Sequence, residues 1–522
     1  MTFHPYARSA KPLVALPVAF VGVFALWPAL TTLRRGVDVV DALARESLRS
    51  TVWYTAWQAT LSALITLAVG VPVAWVLSRH EFRGRRTLRA LTLVPFVLPT
   101  LVVGLAFRAV LPGELRSGTL ALITAHVFLN VAVVVRIVGG RWESQPHGYD
   151  DAAATLGAGP ARRFLTVTWP MLRGSVGAAG GLVFMYCFST YGAARVLAGP
   201  SNPVVETEIY RFAVLAGDMR AASALAVAQI VIVAVVLGLT SRDSAVRSIP
   251  SRPMSLALFA RRRRRVVRCA AGFTFVVFSL PLVGLALRSL DVGDERSLAA
   301  WRAAFGSSGA AANVIPAVWA SLSTAFVAMA VSLVVGVPIA FARVMSTSRA
   351  VRAMATTCEI IPVVVSAIIV GLGFILTFRN GFFDWRGKWW LLPVAHAVVA
   401  LPLVSRSVAS SLRQIPDDLR HAAGTLGASP RRVLTSIDFA LLRRPFAAAA
   451  TLAALVSIGE FGASSLLSRR GNETLTMTIG RLLGRPGDLI QAQAFVVATV
   501  LGLLCLALVS FVDLAATEST VR

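Results

Sequence analysis

Apolar residues fill this chain in long unbroken blocks, not in the alternation of a strand or the stripe of a surface helix. Pro12–Pro28, Leu61–Leu77, Val176–Phe188, Ala222–Leu239 and Ala492–Val512 are apolar almost throughout. With their flanks they reach the roughly 20 residues a helix needs to cross the hydrocarbon layer of a bilayer. Read this way, the chain is expected to hold about twelve spans, at 12–32, 53–77, 88–111, 118–140, 176–198, 220–240, 266–287, 317–342, 354–377, 389–410, 446–467 and 490–512. Arg8 and Lys11 precede the first block, but no small-x-small cleavage site closes it, so it is expected to remain as the first span. The fold class is an all-α polytopic membrane protein.

Composition agrees: of 522 residues 56% are hydrophobic and only 15% charged. The net charge of +26 raises the question of nucleic acid, but its placement answers it. Arginines gather in the gaps between apolar blocks, as in loops that face anionic lipid on the cytoplasmic side. The second loop holds Arg79, Arg83, Arg85, Arg86 and Arg89; the sixth holds Arg242, Arg247, Arg252 and Arg261–Arg265; the eighth holds Arg343, Arg349 and Arg352. The alternate loops carry the acids Glu114, then Glu206, Glu208 and Asp218, then Asp291, Asp294 and Glu295. Both termini are therefore expected in the cytoplasm, with no nucleic-acid partner; Arg469 and Arg470 in the eleventh loop run against the pattern. The four cysteines show no CxxC spacing, so neither a disulfide framework nor a zinc site is expected.

The chain repeats itself. Shifted by 270 residues, Ala125–Arg173 falls on Ala395–Arg443 without a gap, and 16 of the 49 positions are identical. About four or five matches are expected by chance in so biased a composition. The register continues through Gly192 with Gly462, and at nearby offsets Val69-Gly-Val-Pro72 echoes Val335-Gly-Val-Pro338. Six spans per copy is an even number, so the copies share one orientation: two parallel six-helix repeats, divided at 1–250 and 251–522. Gly and Pro inside the spans, such as Gly70-Val-Pro72, are expected to set kinks and close helix contacts.

The repeat is strongest in the loops 141–173 and 411–444. The first reads Pro146-His-Gly-Tyr-Asp-Asp-Ala-Ala-Ala-Thr-Leu-Gly157-Ala-Gly-Pro160, the second Pro416-Asp-Asp-Leu-Arg-His-Ala-Ala-Gly-Thr-Leu-Gly427-Ala-Ser-Pro430. Proline at a first turn with Asp150, Asp151, Asp417 and Asp418 close behind starts a helix. The small residues after them leave one face open to a second protein. Pro160 and Pro430 are expected to break the helix, before a basic amphipathic stretch returns to the membrane.

This pattern resembles the EAA loop of bacterial ABC importer permeases: acid-Ala-Ala, three residues, Gly, nine residues, an aliphatic residue and, three on, Pro. Asp151-Ala152-Ala153, Gly157, Val167 and Pro170 match in full with Asp for Glu; His421-Ala422-Ala423, Gly427 and Ile437 match with His at the acid and Ala440 at the final Pro. The resemblance implies a type I importer permease with both halves fused, in a bacterial inner membrane. It implies that Asp151, Ala152, Ala153, Gly157 and Pro160, with Ala422, Ala423, Gly427 and Pro430, couple to an ATPase. It further implies two copies of that ATPase, which bind ATP and Mg, and an extracytoplasmic solute-binding protein. No catalytic, cofactor or metal site is expected in this chain. A P-loop needs Gly-Lys followed by Ser or Thr, whereas the sole Gly-Lys, Gly387-Lys388, is followed by Trp389.

The fused arrangement looks like the permeases for thiamine and for ferric iron. The segment Phe188-Ser-Thr-Tyr-Gly192 through Leu197-Ala-Gly-Pro200 to Glu206-Thr-Glu-Ile-Tyr210 is more like the thiamine group, so thiamine is the first expectation and ferric iron the alternative. Phe188, Tyr186 and Tyr191 suit a path for an aromatic cation, Glu460 a hard cation; ordinary packing for the rings and a solvated turn for Glu460 are the plainer readings. Glu359 sits inside a span, where a contact with a nearby cytoplasmic Arg such as Arg352 explains it without function. His126 and His396, equivalent in the two copies, read as interhelical hydrogen-bonders. An ion-coupled secondary transporter is the remoter alternative; it would call for inverted repeats and unwound helices, and neither is expected. No enzyme motif or channel filter stands out.

Overall fold

The computed structural model describes residues 10–36, 39–145, 148–199, 201–240, 254–255, 261–306, 313–379, 384–468 and 473–518. Arg8, Pro146, Pro200, Arg242, Arg247, Arg252, Arg469 and Arg470 lie outside them. The described chain is helical apart from two pairings of two-residue strands. Among the described residues ten helices are long and apolar enough to cross a membrane, and two sharply bent helix pairs bring the total to as many as twelve.

The bent pairs are Arg85–Val97 with Thr100–Val110, turning through 109°, and Arg349–Val364 with Ala367–Thr377, turning through 97°. Spans 88–111 and 354–377 are thus broken, against the expectation of unwound helices nowhere. At the first break Leu98 is extended (φ −74°, ψ 141°), because the ring of Pro99 excludes the α conformation of the residue before it. The second copy breaks without proline, with Val365 and Ser366 both extended.

The fifth and eleventh spans are displaced from their expected places. Helices run from Pro160 to Phe188 and from Pro430 to Gly459, not over 176–198 and 446–467. Short helices Gly192–Leu197 and Gly462–Leu467 follow. At the second break the Glu460 carboxylate accepts hydrogen bonds from the backbone N–H of Ala463 and Ser464, each at 3.1 Å. That carboxylate satisfies donors that every helix start leaves open, so a new helix begins there.

Two compact units form. One comprises 41–208 and 228–288, the other 1–40, 209–227 and 289–522. In the first, helix Arg261–Arg288 packs against the bent pair Arg85–Val97 and Thr100–Val110. In the second, the first span packs on Val314–Met345 and on the bent pair Arg349–Val364 and Ala367–Thr377. Each unit therefore takes its leading span from the other sequence repeat.

Small residues set the helix approaches inside each unit. A Cβ on Gly70 would lie 2.7 Å from Val134 Cβ, and one on Gly336 2.9 Å from Val404 Cγ1, the same contact in both copies. The short helices meet the second arms of the bent pairs just as closely: a Cβ on Gly192 would lie 2.8 Å from the Leu101 backbone nitrogen. Polar stitches repeat too. Val205 N–H donates to Thr55 Oγ1 at 3.0 Å, and Leu475 N–H to Ser321 Oγ at 2.8 Å.

Candidate functional site

The loop helices are Gly148–Thr155 and Asp417–Thr425. Each ends in the same cap. Gly157 N–H donates to Ala154 O and Ala158 N–H to Ala153 O, both at 3.0 Å. Gly427 N–H donates to Gly424 O at 3.0 Å and Ala428 N–H to Ala423 O at 2.9 Å. These paired bonds define a Schellman motif, whose first residue past the cap must be left-handed. Gly157 (φ 78°) and Gly427 (φ 77°) supply that conformation, and a Cβ on either would meet nothing within 4 Å in this chain. The motif glycine thus has a conformational reason that spacing alone does not reveal.

Pro160 and Pro430 do not break a helix; they begin one. The turn is made by the glycine cap, and each proline stands at the first turn of the long returning helix, where its missing N–H is not needed. Ser429 caps the second start by accepting from Arg432 N–H at 3.4 Å. Both returning helices pass through one π-helical turn, Phe164–Thr168 and Leu434–Asp438, at equivalent places.

Asp151, Ala152 and Ala422 are exposed, and Ala153 and Ala423 half-buried. Beside them Leu156 and Leu426 are each 87% exposed, two equivalent apolar knobs with nothing of their own chain to cover them. His421 stands exposed at the acid position of the second loop. The loops are anchored differently. In the second, buried Arg420 donates through Nε to buried Asp438 at 2.9 Å and through Nη1 to Asp417 at 2.8 Å. In the first, Asp150 and Thr168 occupy those two places, and the tie is a looser Arg163–Asp150 pair at 3.4 Å. Comparing the two copies position by position would have found this exchange; reading each loop against the motif did not.

The candidate path residues are covered. Phe188 is fully buried and stacked on Phe184 with ring centroids 5.5 Å apart. Tyr191 is buried, whereas Tyr186 is partly exposed and lies edge-on to Phe96 at 6.3 Å. Glu460 is buried, not a solvated turn, and besides its capping bonds lies 3.3 Å from His396 Nε2. His396 also bonds Ser457 at 2.8 Å and Ser464 at 2.9 Å, and His126 Nδ1 lies 3.2 Å from Ser62 Oγ. Glu359 does not meet Arg352, whose guanidinium bonds the Ser346 and Thr347 carbonyls. It pairs with Arg343 and with Arg406 (2.8 Å) and accepts from Ser405 at 3.0 Å.

Glu206 and Glu208, expected in an exposed loop, are buried, and Gln229 Nε2 donates to Glu206 Oε1 at 2.9 Å. Glu206 is equivalent to Thr476 and Thr190 to Glu460. The first copy thus buries Glu206 and Glu208 near this break and the second buries Glu460, on opposite sides of the intervening segment. Among the described residues no group of three or more His, Cys, Asp or Glu could hold a metal ion.

The described residues form a duplicated, mainly helical, multi-pass chain with one capped loop helix per copy, the arrangement of a fused transport permease. The chain belongs to the family of binding-protein-dependent transport system inner membrane components, the ABC importer permeases, whose pattern matches residues 67–252 and again 332–518. Its relatives include the thiamine transport system permease protein of Brucella abortus (strain 2308), 26% identical over 558 aligned residues covering 99% of this chain and 98% of that one. The thiamine transport system permease protein of Escherichia coli (strain K12) is 25% identical over 486 residues, 88% of each chain. The molybdenum transport system permease protein of Mycobacterium bovis is 30% identical over 246 residues, covering 44% of this chain and 89% of its own.

Proposed function

We propose that this chain carries thiamine across the bacterial inner membrane, as the whole transmembrane part of an ATP-driven importer. The observation that carries this reading is the end-to-end match to a thiamine permease, covering 99% of the chain; the molybdenum permease matches only 44% of it. In this reading the functional halves are 1–250 and 251–522, with both termini in the cytoplasm. An ATPase subunit docks on each of the loops 141–173 and 411–444, holding ATP and Mg, while this chain holds no cofactor. The exposed Leu156 and Leu426 with their flanking small residues are the docking faces. An extracytoplasmic binding protein delivers the solute. A route past Phe188, Tyr191 and Glu460 requires that these buried groups be uncovered during the transport cycle.

The test is growth of a deletion strain unable to make thiamine, on limiting thiamine and, separately, on limiting iron. A defect confined to limiting thiamine and cured by excess thiamine is expected. A defect cured by iron and not by thiamine overturns the assignment in favour of a ferric importer. The isolated chain should show no ATP turnover, and robust turnover would contradict the importer reading altogether.

A further inference from the structure

A cavity of about 490 Å³ lies behind the first loop helix, between it and the end of helix Glu46–Arg79. Trp75, Trp142 and Phe164 form apolar walls, and Arg79, Arg163 and Asp150 bring charge to them. Arg163 Nε is buried with no hydrogen-bond partner among the described residues. Among the described residues the Arg163 guanidinium makes one ion pair, through Nη1 to half-exposed Asp150 at 3.4 Å. Among the lining residues two guanidinium groups stand against one carboxylate, Arg79 also donating through Nη1 to the Gln145 carbonyl at 3.2 Å.

The second copy fills the same space. Phe341, Met345, Leu412 and Leu434 stand at the positions of Trp75, Arg79, Trp142 and Phe164, and all four belong to one packed apolar cluster. Buried Val433 replaces Arg163, and the Arg420–Asp438 ion pair at 2.8 Å ties the loop helix to the returning helix. One copy therefore carries its own clamp, and the other carries a cationic, aromatic-walled vacancy where the clamp would be.

We propose that this cavity binds a phosphate ester with an apolar or aromatic stem, and that the bound ester clamps the first loop as Arg420–Asp438 clamps the second. Guanidinium groups take phosphate oxygens in paired, charge-assisted hydrogen bonds. The indole and phenyl walls take the stem, and the volume suits a small ligand. A phosphate drawing Arg163 away from Asp150 would give its orphaned Nε a partner. Two sources offer this chemistry, an anionic phospholipid and a soluble phosphate ester. The proposal rests on the reading of 141–173 as a coupling loop.

The test uses the full chain, without ATPase, in nanodiscs. In phosphatidylcholine discs, phenyl phosphate titrated by calorimetry should bind once per chain and more tightly than inorganic phosphate. Arg79→Gln and Arg163→Gln should each weaken binding about ten-fold, as expected for loss of charge-assisted bonds. Asp150→Asn should tighten it, a gain that misfolding cannot produce. If phosphatidylglycerol discs abolish phenyl phosphate binding, and that lipid co-purifies with the wild-type chain but not with the Arg variants, the site is a lipid site. If phenyl phosphate binds equally in both kinds of disc, the soluble source is assigned. Absence of both phenyl phosphate binding and lipid enrichment, or binding unchanged in Arg79→Gln and Arg163→Gln, overturns the proposal. These readouts need no transport, so their failure is separable from failure of the coupling reading, which appears as normal uptake in loop variants.

Discussion

The motif glycine admits two physical explanations, and one substitution series at Gly157 separates them. If a partner's backbone approaches closely, any side chain is excluded in proportion to its size. If the left-handed cap is what matters, the backbone decides. Gly157 has φ 78° and open space where a Cβ would go, so within this chain Ala meets no clash and carries only the conformational penalty. That penalty is about 1–2 kcal/mol for an ordinary L-residue in this region, a shift of roughly five- to thirty-fold in the capped population. Asn enters the left-handed region more readily and serves as a helix cap, so it should lose less despite its larger side chain. With the chain, its ATPase and its binding protein reconstituted in liposomes, solute uptake and ATP turnover should rank Gly157 above Gly157→Asn, and that above Gly157→Ala and Gly157→Leu. If Gly157→Ala stays near wild type while Gly157→Asn is as inactive as Gly157→Leu, size is the governing quantity and the conformational argument fails. The same series at Gly427 (φ 77°) should follow the same order.

Three further expectations concern stability in detergent, read by thermal unfolding. Arg420→Ala removes the guanidinium that pairs with buried Asp438 and should destabilise by up to about 3–5 kcal/mol, whereas Arg420→Met with Asp438→Leu should recover most of the loss; equal loss in both would refute the charge-pair argument. Glu359→Gln, which leaves Arg343 and Arg406 without their shared carboxylate, should be far more damaging than Asp384→Asn, whose exposed pairing with Arg386 is worth under about 1 kcal/mol. Gly192→Ala drives a Cβ to within 2.8 Å of the Leu101 nitrogen and should lose about 1–3 kcal/mol; Gly140→Ala, in a helix with nothing near its Cβ, should be neutral or stabilising, and a reversed order would refute the close-packing account.

What could be read from sequence was whatever is written as uninterrupted hydrophobicity or as repetition. Long apolar blocks located eight of the ten long helices, and the 270-residue shift exposed the duplication and both loops. The break at Leu98-Pro99 carried a mark that hydropathy does not weigh, a proline restricting the residue before it, whereas Val365-Ser366 is as apolar or small as the span around it. Hydropathy sees composition, while the 109° and 97° turns depend on one or two backbone angles. The end of helix Pro430–Gly459 was lost for a related reason: a carboxylate that caps the next helix looks, in sequence, like any acid near an interface. Glu206 was misplaced because acids were read as loop residues, whereas its side chain is buried against Gln229. The π-helical turns after Pro160 and Pro430 leave no mark in residue type that separates them from α-helix.

The exchange of leading spans has a consequence for how the protein is made. Val14–Arg35 emerges from the ribosome well before its packing partner, which begins at Val314, some 300 residues later by simple difference. At about 5–20 residues per second, synthesis leaves the first span in lipid for roughly 15–60 s before its partner exists. During that interval it must hold its topology without tertiary help, through its own hydrophobic length. Cutting the gene between the repeats would turn this delay into a search: two separately synthesised fragments would have to find each other in the bilayer before either could complete its own core.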